Sequence, residues 1–177
     1  MFKIALIGPE STGKTELASA LAEHYNSLWV PEYARQYIEN LGRSYTYEDV
    51  CRIAEKQIEQ ENYFLSHTDL NEKCVFFDTE LIITKVWFEY AYKKVPEFLA
   101  NQLNSSFFDY YLLCSPDLPW LPDSVREHGD DRDFFFDWYR KEIELLKKPY
   151  AIINGSGKDR LQCAINALEQ NVFTKRR

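Results

Sequence analysis

Near its start the chain reads GPESTGKT, from Gly8 to Thr15, and this stretch decides the fold. It matches the pattern G-x-x-x-x-G-K-[ST] at every fixed position. The residues before it, Phe2 to Ile7, form a short apolar run, and the residues after it, Thr15 to Tyr25, carry apolar side chains at helical spacing. The motif therefore lies between a predicted strand and a predicted helix, which is the context that it requires.

This motif has the chemistry of a phosphate cradle. Its glycines let backbone N–H groups turn toward phosphate oxygens, and the positive end of the following helix dipole strengthens their attraction. Lys14 is expected to reach the terminal phosphates, and the Thr15 hydroxyl is expected to coordinate magnesium. A glycine-containing turn before a helix cap is the simpler alternative. We predict that ATP and Mg²⁺ bind here, with the cradle formed by Gly8, Glu10, Ser11, Thr12, Gly13, Lys14 and Thr15.

Apolar runs and helical patterns alternate along the rest of the chain. Four further runs have the length and composition of buried strands: Leu28 to Val30, Cys74 to Phe77, Tyr110 to Cys114 and Tyr150 to Ile153. The stretches between them carry helical periodicity, with Pro31 and the pair Thr46 and Asp49 as helix-start signals. Five strands that alternate with helices predict an α/β fold in which helices cover both faces of a parallel sheet. Ligands of such sheets bind beyond the carboxyl ends of the strands.

Length and composition indicate one globular domain. The 177 residues are the size of a single domain, and a composition of 45% apolar and 28% charged residues excludes a disordered chain. Lys and Arg total 21 against 28 Asp and Glu, so the formal charge of −7 argues against nonspecific binding to nucleic acid or anionic lipid. The start lacks a secretory-signal pattern, and no apolar run approaches the ~18 residues of a membrane-spanning helix. We expect a cytoplasmic protein with no membrane or nucleic-acid partner; its oligomeric state is left open.

Charged side chains follow the second and third predicted strands. Glu32 and Arg35 come just after the second strand, and Asp78 follows four apolar residues of the third. In a small-molecule kinase, a carboxylate at this edge accepts the proton of the substrate hydroxyl, an arginine binds an oxygen of substrate or phosphate, and a second carboxylate positions magnesium or substrate. The alternatives are an acidic first helical turn, an arginine in solvent and a helix cap at Asp78.

Polar and aromatic side chains on the helices give further candidates for the substrate site. Gln57 and Glu61 lie on the otherwise apolar stripe of the long helix from about Thr46 to Ser66. They either reach the substrate cavity or lie where the stripe turns away from the core. Four aromatic residues are candidates for stacking against a ring, although single aromatics more often belong to the core: Trp29, Tyr33, Tyr63 and Trp87.

Residues 115–133 form a long segment that is dense in Pro, Asp and charged residues and has little periodicity. Loops of this length are usually functional, and Arg126 and Arg132 give this one positive charge, so we predict a lid that closes over the transferred phosphoryl group. An exposed loop of mixed charge is the alternative, because acidic residues surround both arginines. After the fifth strand, Asn154 and Arg160 belong to a turn and helix start that are candidates for contacts to adenine.

Four blocks of the chain, read in order, resemble the nicotinamide riboside kinase family: GPESTGKT, VPEYARQY, VFFDTELIITKVWF and LLCSPDLPW. Within that family the chain is similar to the kinase domain of the bacterial bifunctional NAD-biosynthesis regulators, and the resemblance covers nearly the whole chain. It implies a P-loop kinase fold with parallel strand order 2-3-1-4-5. It also implies transfer of the ATP γ-phosphate to the ribose 5′-hydroxyl of nicotinamide riboside, which gives nicotinamide mononucleotide. By matching position, the resemblance implies a riboside site that contains Glu32, Tyr33, Arg35 and Asp78.

The chain departs from these relatives in two respects. Pro31 stands where some of them have an aromatic residue, and the adenylyltransferase and DNA-binding parts of the bifunctional relatives have no counterpart in residues 1–177. The resemblance therefore implies neither adenylyl transfer nor repression. It is consistent with residues 1–177 as a single P-loop kinase domain.

The hypothesis that follows is a small-molecule kinase with two sets of site residues. The predicted catalytic residues are Lys14, Glu32, Asp78, Arg126 and Arg132, and the predicted substrate-binding residues are Glu32, Tyr33, Arg35, Gln57 and Asp78. We expect Glu32 to orient the attacking hydroxyl and Asp78 to support magnesium or ribose, with an exchange of these two roles as the alternative. The competing functions are a kinase for another nucleoside or nucleotide, and a P-loop ATPase or regulatory nucleotide switch without a small-molecule acceptor.

Overall fold

One sheet of five parallel strands forms the centre of the molecule. The computed structural model describes residues 1–67, 73–105, 107–123 and 128–174. The strands are β1 (Phe2–Ile7), β2 (Leu28–Val30), β3 (Cys74–Asp78), β4 (Tyr110–Cys114) and β5 (Tyr150–Ile153). Their spatial order is β2-β3-β1-β4-β5, so the predicted P-loop fold and strand order are confirmed.

β1 occupies the middle of the sheet. Its residues 4–7 are wholly buried, because β3 and β4 pair with the two edges of β1 and helices cover both faces. The register places Leu6 beside Asp78 and Ile7 beside Leu113. The loop that follows Ile7 therefore begins next to the carboxyl ends of both neighbouring strands, where ligands of parallel sheets bind.

One layer of helices covers each face of the sheet. A third group of helices packs outside one of these two layers. The helices in the described residues are α1 (Lys14–Tyr25), α2 (Tyr33–Glu39), α3 (Tyr47–His67), α4 (Leu81–Tyr92), α5 (Glu97–Asn104), α6 (Arg132–Leu145) and α7 (Gly157–Leu168). α1 and α7 pack on the face that carries Phe76, while α4 and α6 pack on the opposite face, which carries Phe77. α3 and α5 pack with α4 around Phe88. None of these helices is both long enough and apolar enough to cross a membrane.

The structure differs from the prediction at the start of α6 and after α7. α6 begins at Arg132, so the irregular segment ends earlier than residue 133; its described parts, residues 115–123 and 128–131, contain no helix or strand. A π-helical turn, Glu169–Phe173, follows α7 and was not predicted. It forms because Val172 lies four residues after Leu168 and is buried in the same core cluster, so the apolar stripe of α7 continues through it.

Candidate active site

The loop between β1 and α1 has the geometry of a phosphate cradle. Gly8 lies so close to β4 that a Cβ atom there would be 2.6 Å from the Cys114 carbonyl oxygen, which excludes any larger residue. Gly13 is the N-cap of α1 and has a φ of 71°, a left-handed conformation that glycine adopts without strain. Lys14 Nζ donates hydrogen bonds to the carbonyl oxygens of Gly8 and Pro9, each at 2.9 Å, so its charge lies inside the loop.

Thr15 and Asp78 meet at the edge of the cradle. The Thr15 hydroxyl donates to Asp78 Oδ2 at 2.6 Å, because the β1–β3 register brings the end of β3 beside the loop. Asp78 Oδ1 is buried and makes no hydrogen bond. Burial raises the pKa of the Asp78 carboxyl, whereas the charge of Lys14 and the hydrogen bond from Thr15 lower it. A hydroxyl and a carboxylate supply the oxygen ligands that Mg²⁺ prefers, so this pair fits that ion.

Glu32 and Arg35 reach the cavity beside the cradle from the start of α2. Glu32 is the N-cap residue of α2, yet its side chain makes no capping hydrogen bond, which leaves the carboxylate facing the cavity. Burial raises the pKa of Glu32, while the charge of Lys14 lowers it and the charge of Asp78 raises it. Arg35 Nη1 pairs with Asp123 at 3.1 Å, so α2 is tied to the segment that follows β4.

A cavity of about 480 Å³ joins the cradle to a region walled by aromatic rings. We name this region the aromatic compartment; its residues are Tyr45, Trp87, Tyr90, His128, Phe135 and Tyr139. The Tyr45 and Trp87 rings meet edge to face, with centroids 4.8 Å apart. The Tyr90 ring contacts the rings of His128 and Phe135, each at 5.1 Å. Flat apolar walls beside a phosphate cradle suit a ligand that carries both an aromatic ring and a hydroxyl to be phosphorylated.

α4 supplies much of this wall because it is apolar on nearly every side. One stripe of α4 packs on the sheet, and a second packs on α3 and α5. A third stripe lines the cavity and consists of Ile83, Trp87 and Tyr90. Their spacing of four and three residues is the sequence signal that identifies the stripe once a cavity is known. No local pattern marks Tyr45, His128 or the residues of α6, which come from other parts of the chain.

The segment after β4 covers the cradle. Glu10 Oε2 accepts hydrogen bonds from the His128 backbone N–H at 3.2 Å and from the Trp120 indole N–H at 3.4 Å. The Ser11 hydroxyl accepts from the Leu121 backbone N–H at 3.1 Å. Glu10 and Ser11, both predicted to bind nucleotide, therefore also hold this segment. The segment lines the cavity with Leu118, Pro119, Leu121 and His128.

Two arginines were predicted to act from this segment. Arg126 lies outside the described residues. Arg132 is the first residue of α6, and its Nη1 donates to the Leu118 carbonyl oxygen at 2.8 Å. Arg132 is not among the residues that line the cavity, so in the structure it fixes the backbone of the segment. Its catalytic role stays a prediction.

Gln57 and Tyr33 lie apart from the main cavity. Gln57 Oε1 accepts a hydrogen bond from the Thr84 hydroxyl at 2.6 Å, which joins α3 to α4. Tyr33 packs against Tyr37, with ring centroids 6.0 Å apart. Both line a second, smaller cavity at the end of β3, and Asp78 lines it too. The predicted riboside ligands are therefore divided, with Glu32 and Arg35 in the main cavity and the others in the second one.

The structure does not bring Asn154 or Arg160 into the cavity. Asn154 Oδ1 accepts a hydrogen bond from the Ser115 hydroxyl at 2.6 Å. Arg160 is 3% exposed and pairs with Asp117. It donates hydrogen bonds to three backbone carbonyl oxygens, all of which lie at or just beyond the carboxyl ends of β4 and β5. Its guanidinium therefore fastens the ends of these two strands together. Contacts from either residue to adenine stay predictions.

Two buried glutamates adjoin the second cavity. Glu61 of α3 and Glu80, the N-cap residue of α4, are each 2% exposed. Glu61 Oε2 accepts a hydrogen bond from Gln102 at 3.0 Å, and Glu80 Oε1 accepts one from a backbone N–H of α4. Burial raises the pKa of Glu61 to about 7 and raises that of Glu80 well above its usual range. Glu61 was a sequence candidate for the substrate cavity, and it lies instead among these buried acids.

Comparison with models of protein families shows which domain family the chain belongs to. A family model described as an AAA domain, AAA_28, matches residues 3–160. The chain belongs to this AAA domain family. The matched range contains every predicted site residue, from the cradle to Arg160.

Three matches relate the chain to known proteins. The trifunctional NAD biosynthesis/regulator protein NadR of Escherichia coli (strain K12) is 26% identical over 147 residues, which are 81% of this chain and 34% of NadR. A crystal structure of NadR in complex with NR has a TM-score of 0.75 at 24% identity, over 96% of this chain and 51% of that one. A crystal structure of NadR in complex with NAD and AMP-PNP has a TM-score of 0.66 at 25% identity, over 96% and 49%.

These matches have a limited span. The chain covers 34% of the curated NadR and about half of the solved NadR chains. Within that span the resemblance to a NAD-biosynthesis regulator is confirmed, and so is the fold.

Proposed function

We propose that this chain is a P-loop kinase that transfers the γ-phosphate of ATP to the ribose 5′-hydroxyl of nicotinamide riboside. The observation that carries the proposal is one cavity that contains the phosphate cradle, the Glu32 carboxylate and the aromatic compartment. An ATPase or a nucleotide switch needs only the cradle and a water molecule. A kinase also needs a site that holds an acceptor beside the γ-phosphate, and the aromatic compartment has the position and the chemistry of such a site.

The donor half of the reaction relies on the cradle. Backbone N–H groups of the loop and the Lys14 ammonium would hold the phosphates of ATP. Lys14 already lies within the loop through its two carbonyl contacts, so its charge is in place for the transferring group. Thr15 and Asp78 would hold Mg²⁺, which neutralises phosphate charge when it is bound.

Glu32 is the carboxylate that we assign to the acceptor hydroxyl. Asp78 is engaged by the 2.6 Å hydrogen bond from Thr15, whereas Glu32 lines the main cavity with Lys14. Burial raises the pKa of Glu32, and a carboxylate with a raised pKa accepts a proton more readily than an exposed one. Glu32 would therefore orient the 5′-hydroxyl and take its proton, while Asp78 would serve the metal.

The aromatic compartment would receive the nicotinamide ring. In the riboside this ring is flat and positively charged, and the faces of Tyr45 and Trp87 attract such a cation. Glu10 and Glu32 add negative charge to the same cavity. The solved complex of NadR with NR, the abbreviation of nicotinamide riboside, supports this ligand for a related protein, and the complex with AMP-PNP supports the donor.

Product analysis tests the proposal. Purified protein is incubated with ATP, Mg²⁺ and one acceptor at a time: nicotinamide riboside, nicotinic acid riboside, adenosine, cytidine or thymidine monophosphate. We expect nicotinamide mononucleotide to form with one ADP released for each molecule of product. The Lys14→Ala protein is the control, because a contaminating kinase would survive that substitution.

Each other outcome points to a different function. Faster phosphorylation of another acceptor would replace nicotinamide riboside and keep the kinase. ATP hydrolysis that no acceptor stimulates would support the ATPase or regulatory switch and contradict the proposal.

A further inference from the structure

Asp49 is a buried carboxylate to which the proposed reaction gives no role. It lies in the first turn of α3, and its side chain is 1% exposed. Arg43 donates two hydrogen bonds to it, at 2.6 and 2.9 Å, and Tyr37 donates one at 2.8 Å. The backbone N–H and the hydroxyl of Thr46 donate two more, at 2.8 and 3.0 Å. The hydrogen bonds from Arg43 are the main reason that the pKa of Asp49 lies well below its usual range, so Asp49 stays ionised.

These donors come from two consecutive parts of the chain. Tyr37 belongs to α2, whereas Arg43 and Thr46 belong to the connection formed by residues 40–46, which precedes α3. Thr46 and Asp49 form the predicted capping box, which is confirmed, and a cap requires only that pair. The bonds from Tyr37 and Arg43 exceed what a cap requires, and they join α2 and the connection to α3.

The two joined parts carry one wall of the main cavity. Arg35 and Ile38 of α2 and Tyr45 of the connection all line it. α2 has only seven residues, and Ala34 is its one buried residue, so packing alone holds it weakly. The hydrogen bonds to Asp49, which we call the anchor, therefore do much to hold this wall in place.

Tyr45 is the residue through which the anchor reaches the aromatic compartment. It lies between Arg43 and Thr46 in the chain, and Asp49 holds both. Its ring contacts Trp87 edge to face at 4.8 Å. A shift of the connection would move this ring away from Trp87 and widen the compartment.

We infer that Asp49 is a positioning residue for the acceptor: it fixes α2 and residues 40–46 so that Tyr45 closes the aromatic compartment around the base of the nucleoside. The inference rests on the proposed function, because it names a part of that same site. The cradle takes no residue from α2 or from the connection, so the anchor serves the acceptor and not ATP.

A pure capping role has a different signature. Loss of the cap of α3 would lower the stability of the whole fold without distinguishing ATP from the acceptor. Arg43→Gln separates the two roles, because Arg43 has a side chain that is 51% exposed and takes no part in the capping box. Lys56→Gln is the matched control, since it also removes one positive charge. Lys56 forms an exposed ion pair with Glu59, and both residues lie on α3.

Steady-state kinetics give the first arm of the test. We expect Arg43→Gln and Asp49→Asn to raise KM for nicotinamide riboside by about tenfold, while KM for ATP stays within about twofold of wild type. Lys56→Gln should change neither constant. An unchanged KM for the riboside in Arg43→Gln, or equal changes in both KM values, would overturn the inference.

Amide hydrogen exchange gives the second arm and requires no turnover. Residues 33–46 should exchange faster in Arg43→Gln than in wild type or Lys56→Gln, and equal exchange in the three proteins would overturn the inference. If wild type phosphorylates no nucleoside, the proposed function fails, and the exchange rates still decide whether Asp49 anchors the wall. If Asp49→Asn does not fold, Arg43→Gln alone serves both arms.

Discussion

The phosphate cradle and the aromatic compartment share one cavity, yet the chain builds them in different ways. The cradle is one continuous stretch, Gly8 to Thr15, and we propose that it acts through its backbone and Lys14. The compartment takes its rings from the connection before α3, from α4, from the segment after β4 and from α6. The first is encoded by a local motif and the second by the topology of the fold. Damage to the cradle should therefore stop transfer to every acceptor, whereas damage to the compartment should change only how the acceptor binds.

Lys14→Ala should have the largest effect. We expect the rate of phosphoryl transfer to fall by about 10³-fold or more, because in the proposed reaction Lys14 supplies charge where the transition state develops it. The loss should be the same for every acceptor that the wild-type protein phosphorylates, as measured by kcat. Lys141→Ala removes an exposed lysine of α6 and should leave the rate unchanged. A loss confined to one acceptor would break the distinction between the two regions.

Glu32→Gln and Asp78→Asn should separate the acceptor from the metal. Glu32→Gln should lower kcat by about 10²-fold with little change in KM for ATP, because it removes the group that we propose takes the hydroxyl proton. Asp78→Asn should instead raise the Mg²⁺ concentration that gives half the maximal rate. Magnesium titrations of both variants check this, and the reverse pattern would exchange the two roles.

Glu61→Gln should change how the stability of the protein depends on pH. It should leave the donor site intact. The pKa of Glu61 rises from 4.5 to about 7 on burial, so the folded protein binds its proton more tightly than the unfolded chain. Glu61 therefore makes wild-type stability fall by about 3 kcal/mol between the two pKa values, with no further loss above the higher one. Glutamine stays neutral and keeps an oxygen that can accept from Gln102.

Urea denaturation at about pH 5 and about pH 8 measures this effect. The free energy of unfolding of Glu61→Gln, relative to wild type, should be higher at the second pH than at the first. An equal difference at both values would show that Glu61 ionises freely in the folded protein.

Trp87→Ala should have a smaller effect on the reaction than Lys14→Ala or Glu32→Gln. We expect KM for nicotinamide riboside to rise by about tenfold, because a ring that we propose stacks against the base is lost, while KM for ATP changes little. Trp87→Phe retains a ring in contact with Tyr45 and should lose less. Initial rates over a matrix of both substrates give the two constants. A rise in KM for ATP as large as that for the riboside would show that the two regions do not act separately.

Much of the fold was predictable because the sheet is parallel and covered on both faces. Such strands are continuous apolar runs, and β1, β2, β4 and β5 have the predicted bounds. β3 extends one residue further, to Asp78, because that residue still pairs with β1. The π-helical turn after α7 was missed, since an apolar pair such as Val172 and Phe173 near a chain end is too short to define an element.

The candidate site also has one part that the sequence predicted and one part that it did not. The cradle was predictable because its chemistry requires fixed residue types at fixed spacing, and the contact between Thr15 and Asp78 follows from strand register. The compartment was not, because five of its six rings also belong to a core cluster or pack against one. Tyr139 of α6 shows the difficulty, since its ring packs in the core and also lines the cavity. A hydrophobic pattern cannot distinguish a ring that meets a ligand from one that meets another ring.

Arg160 will resemble a ligand-binding residue in any mutant library that is scored by activity alone. Its guanidinium holds backbone carbonyl oxygens at the ends of β4 and β5, so its loss should lower the amount of folded protein and not the rate of each folded molecule. Such a library will rank Arg160 with Lys14, although the two fail for different reasons. Protein abundance, measured in parallel, is the quantity that separates an arginine that holds strands together from a lysine that we propose holds phosphate.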